Sequence, residues 1–332
     1  MTLVEKPDIR SGRIQAVRNN AGLLTEFRRR FIAARGPDRV PFLHNMVTHD
    51  IKGLSPGQGK PACLLDRQGK IQASFLVHAK PEELVLEMDD RDLSPALALL
   101  KKYRISENVE FGEITGSFRT TALHGPKAGE MLRAIFPGIN LPEKNLSAEE
   151  TPAGFPEILR ITRWDLLRIP GYHVWMETDA GTRTERLLLE KGAEPVDRKM
   201  FDTLRIEAGV PWPGSEITPS VILNELGNEE MVSFTKGCYV GQEIVARIKY
   251  RAHPPRLLKR FRIEGSEPPA VPAPVFAGEK EAGTLTSSCW SPTLQSVIGM
   301  GFLTYGTEEK SLAVEYQGTR RAVSPFTPAI GT

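Results

Sequence analysis

Ala62-Cys63-Leu64-Leu65-Asp66-Arg67-Gln68-Gly69-Lys70-Ile71-Gln72-Ala73-Ser74-Phe75-Leu76-Val77 places two apolar runs on either side of a glycine-containing connector, Asp66 to Lys70. Runs this short, joined by a loop of hairpin length, read as two antiparallel strands. The pattern recurs outward in both directions. Glu26 to Ala34 reads as a strand, with Phe27, Phe31 and Ala33 opposite the Arg28 to Arg30 cluster, and Leu84 to Met88 as another. Strands near Val109 to Phe118 and Thr121 to His124 follow, then the pair Leu159 to Arg168 and Tyr172 to Thr178 around Ile169-Pro170-Gly171. Helices fall between them. One runs from an Asp38 cap to about His49, with Pro41 in its first turn, where proline is tolerated. Another covers Ser94 to Tyr103, with Ser94 as cap and Pro95 at the first helical position. Lys127 to Phe136, Thr184 to Lys191 and Arg198 to Ile206 carry the same period. Strands in hairpin-like pairs among helices predict an α+β body with antiparallel sheets, not a doubly wound parallel sheet.

From Leu257 the alternation gives way to short strands, with the proline-rich segment Pro268 to Pro274 between them. This reads as a separate all-β module of roughly 75 residues, a size usually met by a five- or six-stranded barrel. The division expected is a body over residues 1–250 and a barrel over 251–332. A chain of 332 residues exceeds what one core serves, so more than one packing unit is required. With 43 Lys+Arg against 41 Asp+Glu the formal charge is +2, which makes no global case for nucleic-acid binding. The segment Arg247 to Arg260, with Lys249, Arg251, Arg256 and Lys259, is the one local basic run, and such runs usually form a solvated face. The longest apolar run, Ala96 to Leu100, is far short of the roughly 20 residues of a membrane span. Met1 to Arg10 lacks the apolar stretch of a targeting signal. Cys63, Cys238 and Cys289 form no CxxC pair, which argues against a disulfide framework or zinc site and fits the cytoplasm.

Lys236-Gly237-Cys238-Tyr239-Val240-Gly241-Gln242-Glu243 is the segment least like a generic core. Two glycines bracket a cysteine and a tyrosine just before a run, Gln242 to Arg251, that can form a helix. A thiol beside a helix N-terminus, with Lys236 two residues away, meets positive potential that stabilises the thiolate. Cys238 is therefore the candidate reactive thiol, although an isolated cysteine is more often a small buried hydrophobe. Lys236, Gly237, Tyr239, Gly241, Gln242 and Glu243 would shape the loop that holds it. A second cluster runs from Leu204 through Arg205, Glu207 and Trp212 to Ile217. A carboxylate there can accept two hydrogen bonds from an aminopyrimidine edge while an aromatic side chain stacks on its face. A helix-end glutamate and a loop tryptophan are more often a solvated charge and a hydrophobic plug. The six histidines, at 44, 49, 78, 124, 173 and 253, form no HxH or HExxH pattern and read as ordinary polar positions. No GxSxG, Walker A or GxGxxG sequence occurs.

The Cys238 motif resembles the signature of the YgfZ family of folate-binding proteins. That family includes a bacterial protein linked to tRNA modification and mitochondrial iron-sulfur assembly factors. The resemblance continues in order through Gly36-x-Asp38, Phe42-Leu43-x-Asn45, Thr48-x-Asp50, Leu65-Asp66-x-x-Gly69-Lys70, Arg205-x-Glu207-Ala208-Gly209, Gly283 to Ser287 and Trp290-Ser291-Pro292. It implies an aminomethyltransferase-like cloverleaf of antiparallel-sheet α/β units around a central folate channel, closed by a C-terminal β-barrel. It also implies Glu207 as a ligand for the pteridine of tetrahydrofolate or another reduced folate, with Arg205 and Trp212 nearby. Aminomethyltransferases of the wider superfamily carry an acidic pair on the strand after the glycine turn, and here the matching positions are Ala73 and Ser74. No Asp or Glu lies between Lys70 and Ala79, so the ordinary transfer lacks its carboxylate.

The function expected is that of a cytoplasmic, folate-binding protein supporting iron-sulfur cluster assembly or repair in client enzymes, including those that thiolate tRNA. Cys238 would be its functional atom, by mixed disulfide, transient iron ligation or a one-carbon adduct. Two alternatives stand beside it: a folate-dependent one-carbon transferase with a rewired site, and a non-catalytic partner-binding module. Neither a resident metal, a membrane nor direct contact with nucleic acid is expected.

Overall fold

The computed structural model describes residues 7–307 and 311–326. The chain opens with α1 (Pro7–Asn19), β1 (Gly22–Leu24), β2 (Arg29–Arg35) and α2 (Arg39–Met46). It continues through β3 (Gly59–Leu65), β4 (Ile71–Ala79), β5 (Glu83–Asp89), α3 (Asp90–Tyr103) and β6 (Glu110–Glu113). Then come β7 (Arg119–His124), α4 (Ala128–Ile135), β8 (Ala148–Glu150), β9 (Ile158–Arg163), β10 (Gly171–Met176), α5 (Thr178–Glu190), β11 (Glu194–Val196) and α6 (Arg198–Ala208). After a long loop with two short 3-10 turns, α7 (Gln242–Arg251) leads into β12 (Arg256–Ile263), β13 (Ala273–Ala277), β14 (Lys280–Ser291), β15 (Ser296–Thr304), β16 (Leu312–Tyr316) and β17 (Thr319–Pro325).

The α+β expectation holds, as two sheets and a barrel. One five-stranded sheet, in the order β3-β4-β5-β2-β6, is antiparallel throughout. The six-stranded sheet, β11-β1-β7-β10-β9-β8, is antiparallel except where β1 and β11 run parallel at its edge. β1 lies in the second sheet and β2 in the first, so the two units are interleaved. The barrel closes as β12-β15-β14-β13-β16-β17. The two sheets meet through an aromatic seam, with Trp175 against Phe31 at 5.0 Å and stacked on Phe118 at 4.9 Å. Each sheet buries its other face under its own helices, which gives separate apolar cores around Leu86 and Val174.

Several local expectations are corrected. The polar N-terminal stretch holds α1, whose Ile14 and Val17 are fully buried. α3 begins at Asp90, not Ser94, because the Asp89 side chain accepts from the Arg91 N–H and acidic residues fill the positive first turn. Pro95 therefore lies inside the helix. Asp38 caps no helix through its side chain; its Oδ2 accepts from the Asn108 N–H at 2.7 Å. β9 stops at Arg163, which frees Trp164 to Arg168 as a loop. The strand read over Val109 to Phe118 is only Glu110–Glu113 followed by a 3-10 turn.

Candidate functional site

The motif segments far apart in sequence come together. The Asp66 to Lys70 turn of the β3–β4 hairpin packs against the start of α7. Gly241 there has φ +82° and lies so close that a Cβ on it would stand 2.5 Å from the Asp66 carbonyl oxygen. Only glycine takes that conformation and that approach without strain. Lys236 turns inward, and its Nζ donates to the carbonyls of His44, Val47 (2.5 Å) and His49 (3.2 Å). It thereby caps the C-terminal end of α2, where free carbonyls and the helix dipole favour a cation. Burial lowers the Lys236 ammonium to about 8, the largest influence on it. Thr48 joins the same junction by donating to the Met231 carbonyl at 2.6 Å and accepting from the Cys63 N–H at 2.9 Å.

This scaffold presents Cys238 outward. Its thiol is free and exposed, whereas Cys63 is fully buried and Cys289 partly buried. Burial pushes the Cys63 thiol far up, and the Cys289 thiol up to about 12. Tyr239 next to Cys238 is buried in the core beneath, and burial raises its hydroxyl to about 12. Among the described residues no set of three His, Cys, Asp or Glu side chains is arranged to hold a metal ion.

A separate cavity opens between the first sheet and the loops after β9 and α6, with about 880 Å³ of empty space including its mouth. Arg29, Ser74, Asp89, Trp164, Arg168 and Trp212 are among its lining residues; Cys238 is not. The mixed aromatic and charged wall suits a heteroaromatic ligand. The indole Nε1 of Trp212, a residue 4% exposed, has no hydrogen-bond partner.

Glu207 and Arg205, read from the sequence as folate contacts, are committed elsewhere. Glu207 is fully buried and accepts from Arg18 Nη2 (2.5 Å), Ser291 Oγ (2.6 Å) and Thr293 Oγ1 (3.1 Å). Arg205 donates to Glu216 Oε2 (2.9 Å) and Ser287 Oγ (2.8 Å). Both lie on α6 and hold it to barrel strand β14, and neither is among the cavity's lining residues. Of the three expected contacts, Arg205, Glu207 and Trp212, the structure brings only Trp212 to the cavity, with its loop neighbours Val210, Pro211 and Pro213.

Sequence reasoning missed a second set of residues. At the wall position where a strand carboxylate was lacking, Ser74 Oγ donates to Asp92 Oδ2 at 2.9 Å, and its N–H does so at 3.2 Å. Burial raises the Asp92 carboxyl to about 6, despite these bonds, and the Asp89 charge adds to the rise. The signal in the sequence is Asp89-Asp90-Arg91-Asp92, an acidic helix start overlooked in favour of Ser94. Behind the wall, Glu87 is fully buried between His78 Nε2 (2.8 Å), His173 Nδ1 (3.2 Å) and Arg29 Nε (3.1 Å). These bonds hold its carboxyl well below the usual range in spite of burial, while burial lowers His78 to about 4. His78 and His173 are thus members of one buried charged network, not ordinary polar positions.

The sequence pattern of the GCVT N-terminal domain matches residues 8–236, and that of the glycine cleavage T-protein C-terminal barrel domain matches residues 256–329. The aminomethyltransferase of Rubrobacter xylanophilus is 28% identical over 295 residues, covering 89% of this chain and 79% of that protein. That of Moorella thermoacetica is 28% identical over 308 residues, covering 91% and 83%. In three dimensions the chain is similar to the crystal structure of glycine cleavage system aminomethyltransferase T from Bartonella henselae, with a TM-score of 0.86 at 21% identity. That match covers 96% of this chain and 88% of the other, and it is a likeness of fold. No helix among the described residues is long and apolar enough to cross a membrane.

Proposed function

The chain belongs to the glycine cleavage T-protein family, and from that premise we propose that it binds tetrahydrofolate or another reduced folate in the central cavity and acts on partner proteins through Cys238. The partners in this reading are iron-sulfur assembly or client proteins, including radical enzymes that thiolate tRNA, so any effect on tRNA is indirect. The observation that carries it is the separation of the two sites: the thiol is exposed and lies outside the cavity lining. A thiol on the outer surface can reach a protein partner, and it is poorly placed for a small molecule held in the channel. The residues present fit a reduced folate. Trp164 and Trp212 supply flat walls, and Arg29 and Asp89 supply a donor and an acceptor. The iron-sulfur part rests on the likeness of residues 236–243 to the YgfZ signature.

The test is an anaerobic calorimetric titration of tetrahydrofolate into the wild type and Cys238→Ser, alongside client-enzyme activity in cells carrying each form. Both proteins are expected to bind folate alike, with only the wild type supporting the client. Full client activity with Cys238→Ser would sink the thiol's role, and absence of folate binding would sink the pocket's.

A second reading, folate-dependent one-carbon transfer by a rewired site, is favoured by the Asp92 carboxylate that reaches the cavity wall through Ser74. It agrees with the activity named for the relatives. Folate-dependent methylene transfer that disappears in Asp92→Asn would promote it over the first.

A further inference from the structure

Arg29 and Asp89 are directly opposed in the β2–β5 ladder, so their side chains leave the sheet on one face. Both line the cavity, and both are nearly buried, at 9% and 8% exposure. Each is anchored separately. Arg29 donates through Nε to Glu87 Oε1 at 3.1 Å and through Nη2 to the Glu87 carbonyl at 3.2 Å. Asp89 uses Oδ1 to accept from the Arg91 N–H at 3.2 Å. Among the described residues neither Arg29 Nη1 nor Asp89 Oδ2 has a hydrogen-bond partner. A cation and an anion thus stand side by side at the cavity wall, each with an unused arm. The guanidinium is held in place by Phe27, Trp164 and Trp212, whose rings lie 5.2, 5.5 and 5.7 Å from it. Trp164 and Trp212 line the same cavity.

A donor beside an acceptor matches a ligand edge that offers an acceptor beside donors. The 2-amino-4-oxopyrimidine edge is of that kind: a carbonyl oxygen, then a ring N–H, then an amino group. We propose that Arg29 and Asp89 read this edge, Arg29 donating to the 4-oxo oxygen while Asp89 accepts from the ring N–H and the 2-amino group. Reduced pterins and guanine share the edge, and the choice of a pterin here rests on the folate reading above. Charge-assisted bonds of this sort are short and strong in a partly dry site, and a ligand lacking the matching groups leaves Arg29 Nη1 and Asp89 Oδ2 without partners. The pair therefore sets which heterocycle the cavity admits.

The experiment is calorimetry of wild type and Asp89→Asn with three probes: tetrahydrofolate, its 2,4-diamino counterpart and guanosine. Asparagine keeps the helix cap of α3, and a circular-dichroism melt establishes that the variant is folded. The expected result is that the wild type prefers the 4-oxo folate to the diamino form by at least about tenfold, since the latter turns a donor toward Arg29. Asp89→Asn should weaken tetrahydrofolate by about tenfold or more. A folded Asp89→Asn with unchanged affinity, or a wild type indifferent to the 4-position, overturns this assignment and leaves the folate reading standing. Guanosine bound without tetrahydrofolate upholds the edge and overturns the folate reading. A wild type that binds none of the three overturns both.

Discussion

Gly241 packs its bare α-carbon against the Asp66 carbonyl, which locks the loop carrying Cys238 onto the turn of the β3–β4 hairpin. A Cβ at 2.5 Å, on a residue with φ +82°, forces one of the two segments to move. Gly241→Ala is therefore expected to cost about 2 to 3 kcal/mol in urea unfolding, combining left-handed strain with the clash. A variant that unfolds with the wild type would show that the loop is held by something else.

Native-state alkylation should find one thiol. Cys238 is exposed, whereas burial keeps Cys63 and Cys289 protonated and out of reach. Brief treatment with iodoacetamide followed by peptide mass spectrometry is expected to label Cys238 alone, and Cys238→Ser should take up no label while keeping stability within about 0.5 kcal/mol. Label on Cys63 before unfolding would contradict the packing around β3.

Glu207→Ala is expected to act as a stability variant. It strips a fully buried carboxylate from Arg18, Ser291 and Thr293 and leaves a nearly buried guanidinium without its partner. Breaking such a pair costs about 3 to 5 kcal/mol. Denaturant unfolding should register that loss, and folate affinity measured on the fraction still folded should change little. Unchanged stability with folate binding abolished would return Glu207 to the ligand.

The Asp92 carboxyl, raised to about 6 by burial, gives a pH signature. Its folded form takes up a proton more readily than its unfolded form does. Its contribution is thus fully present below the ordinary 3.8 and is lost as pH rises through about 6. His49 and His78, lowered to about 4 by burial, act with the opposite sign: their contribution is present above 6.5 and is lost as pH falls through about 4. Only a comparison with Asp92→Asn isolates the aspartate. Between pH 4 and 7 the wild type should lose about 2 to 3 kcal/mol relative to that variant. A constant gap across this range would rule the shift out.

The hairpin around Asp66 to Lys70 and the helix over Arg198 to Ile206 are legible in the sequence because apolar spacing and glycine turns are local signals. The barrel is legible from its run of short strands. The site is legible only at Trp212 and at Cys238, where composition is unusual. Arg29 and Asp89 are sixty positions apart, and nothing in either neighbourhood states that β2 and β5 pair in the register that opposes them. Glu207 fails differently. Helical period places it correctly on α6, but period cannot say whether a polar face meets solvent, a ligand or another layer of protein, and here it meets the barrel. Ser94 and Pro95 mimic a helix start so well that the true cap four residues upstream of Leu93, Asp89, is passed over.

Arg18, Glu207 and Ser291 come from the first, middle and last thirds of the chain, yet they meet at one carboxylate. Contacts separated by nearly two hundred residues are made late, since closing so large a loop must await the pairing of everything between. During synthesis α1 therefore has no carboxylate to grasp until α6 emerges, and the junction stays open until β14 follows. The apolar side of α1 is covered by body residues such as Val196 and Met200, so a nascent chain stalled within the barrel would present a body that has fastened α1 to α6 but leaves Glu207 without its Ser291 partner.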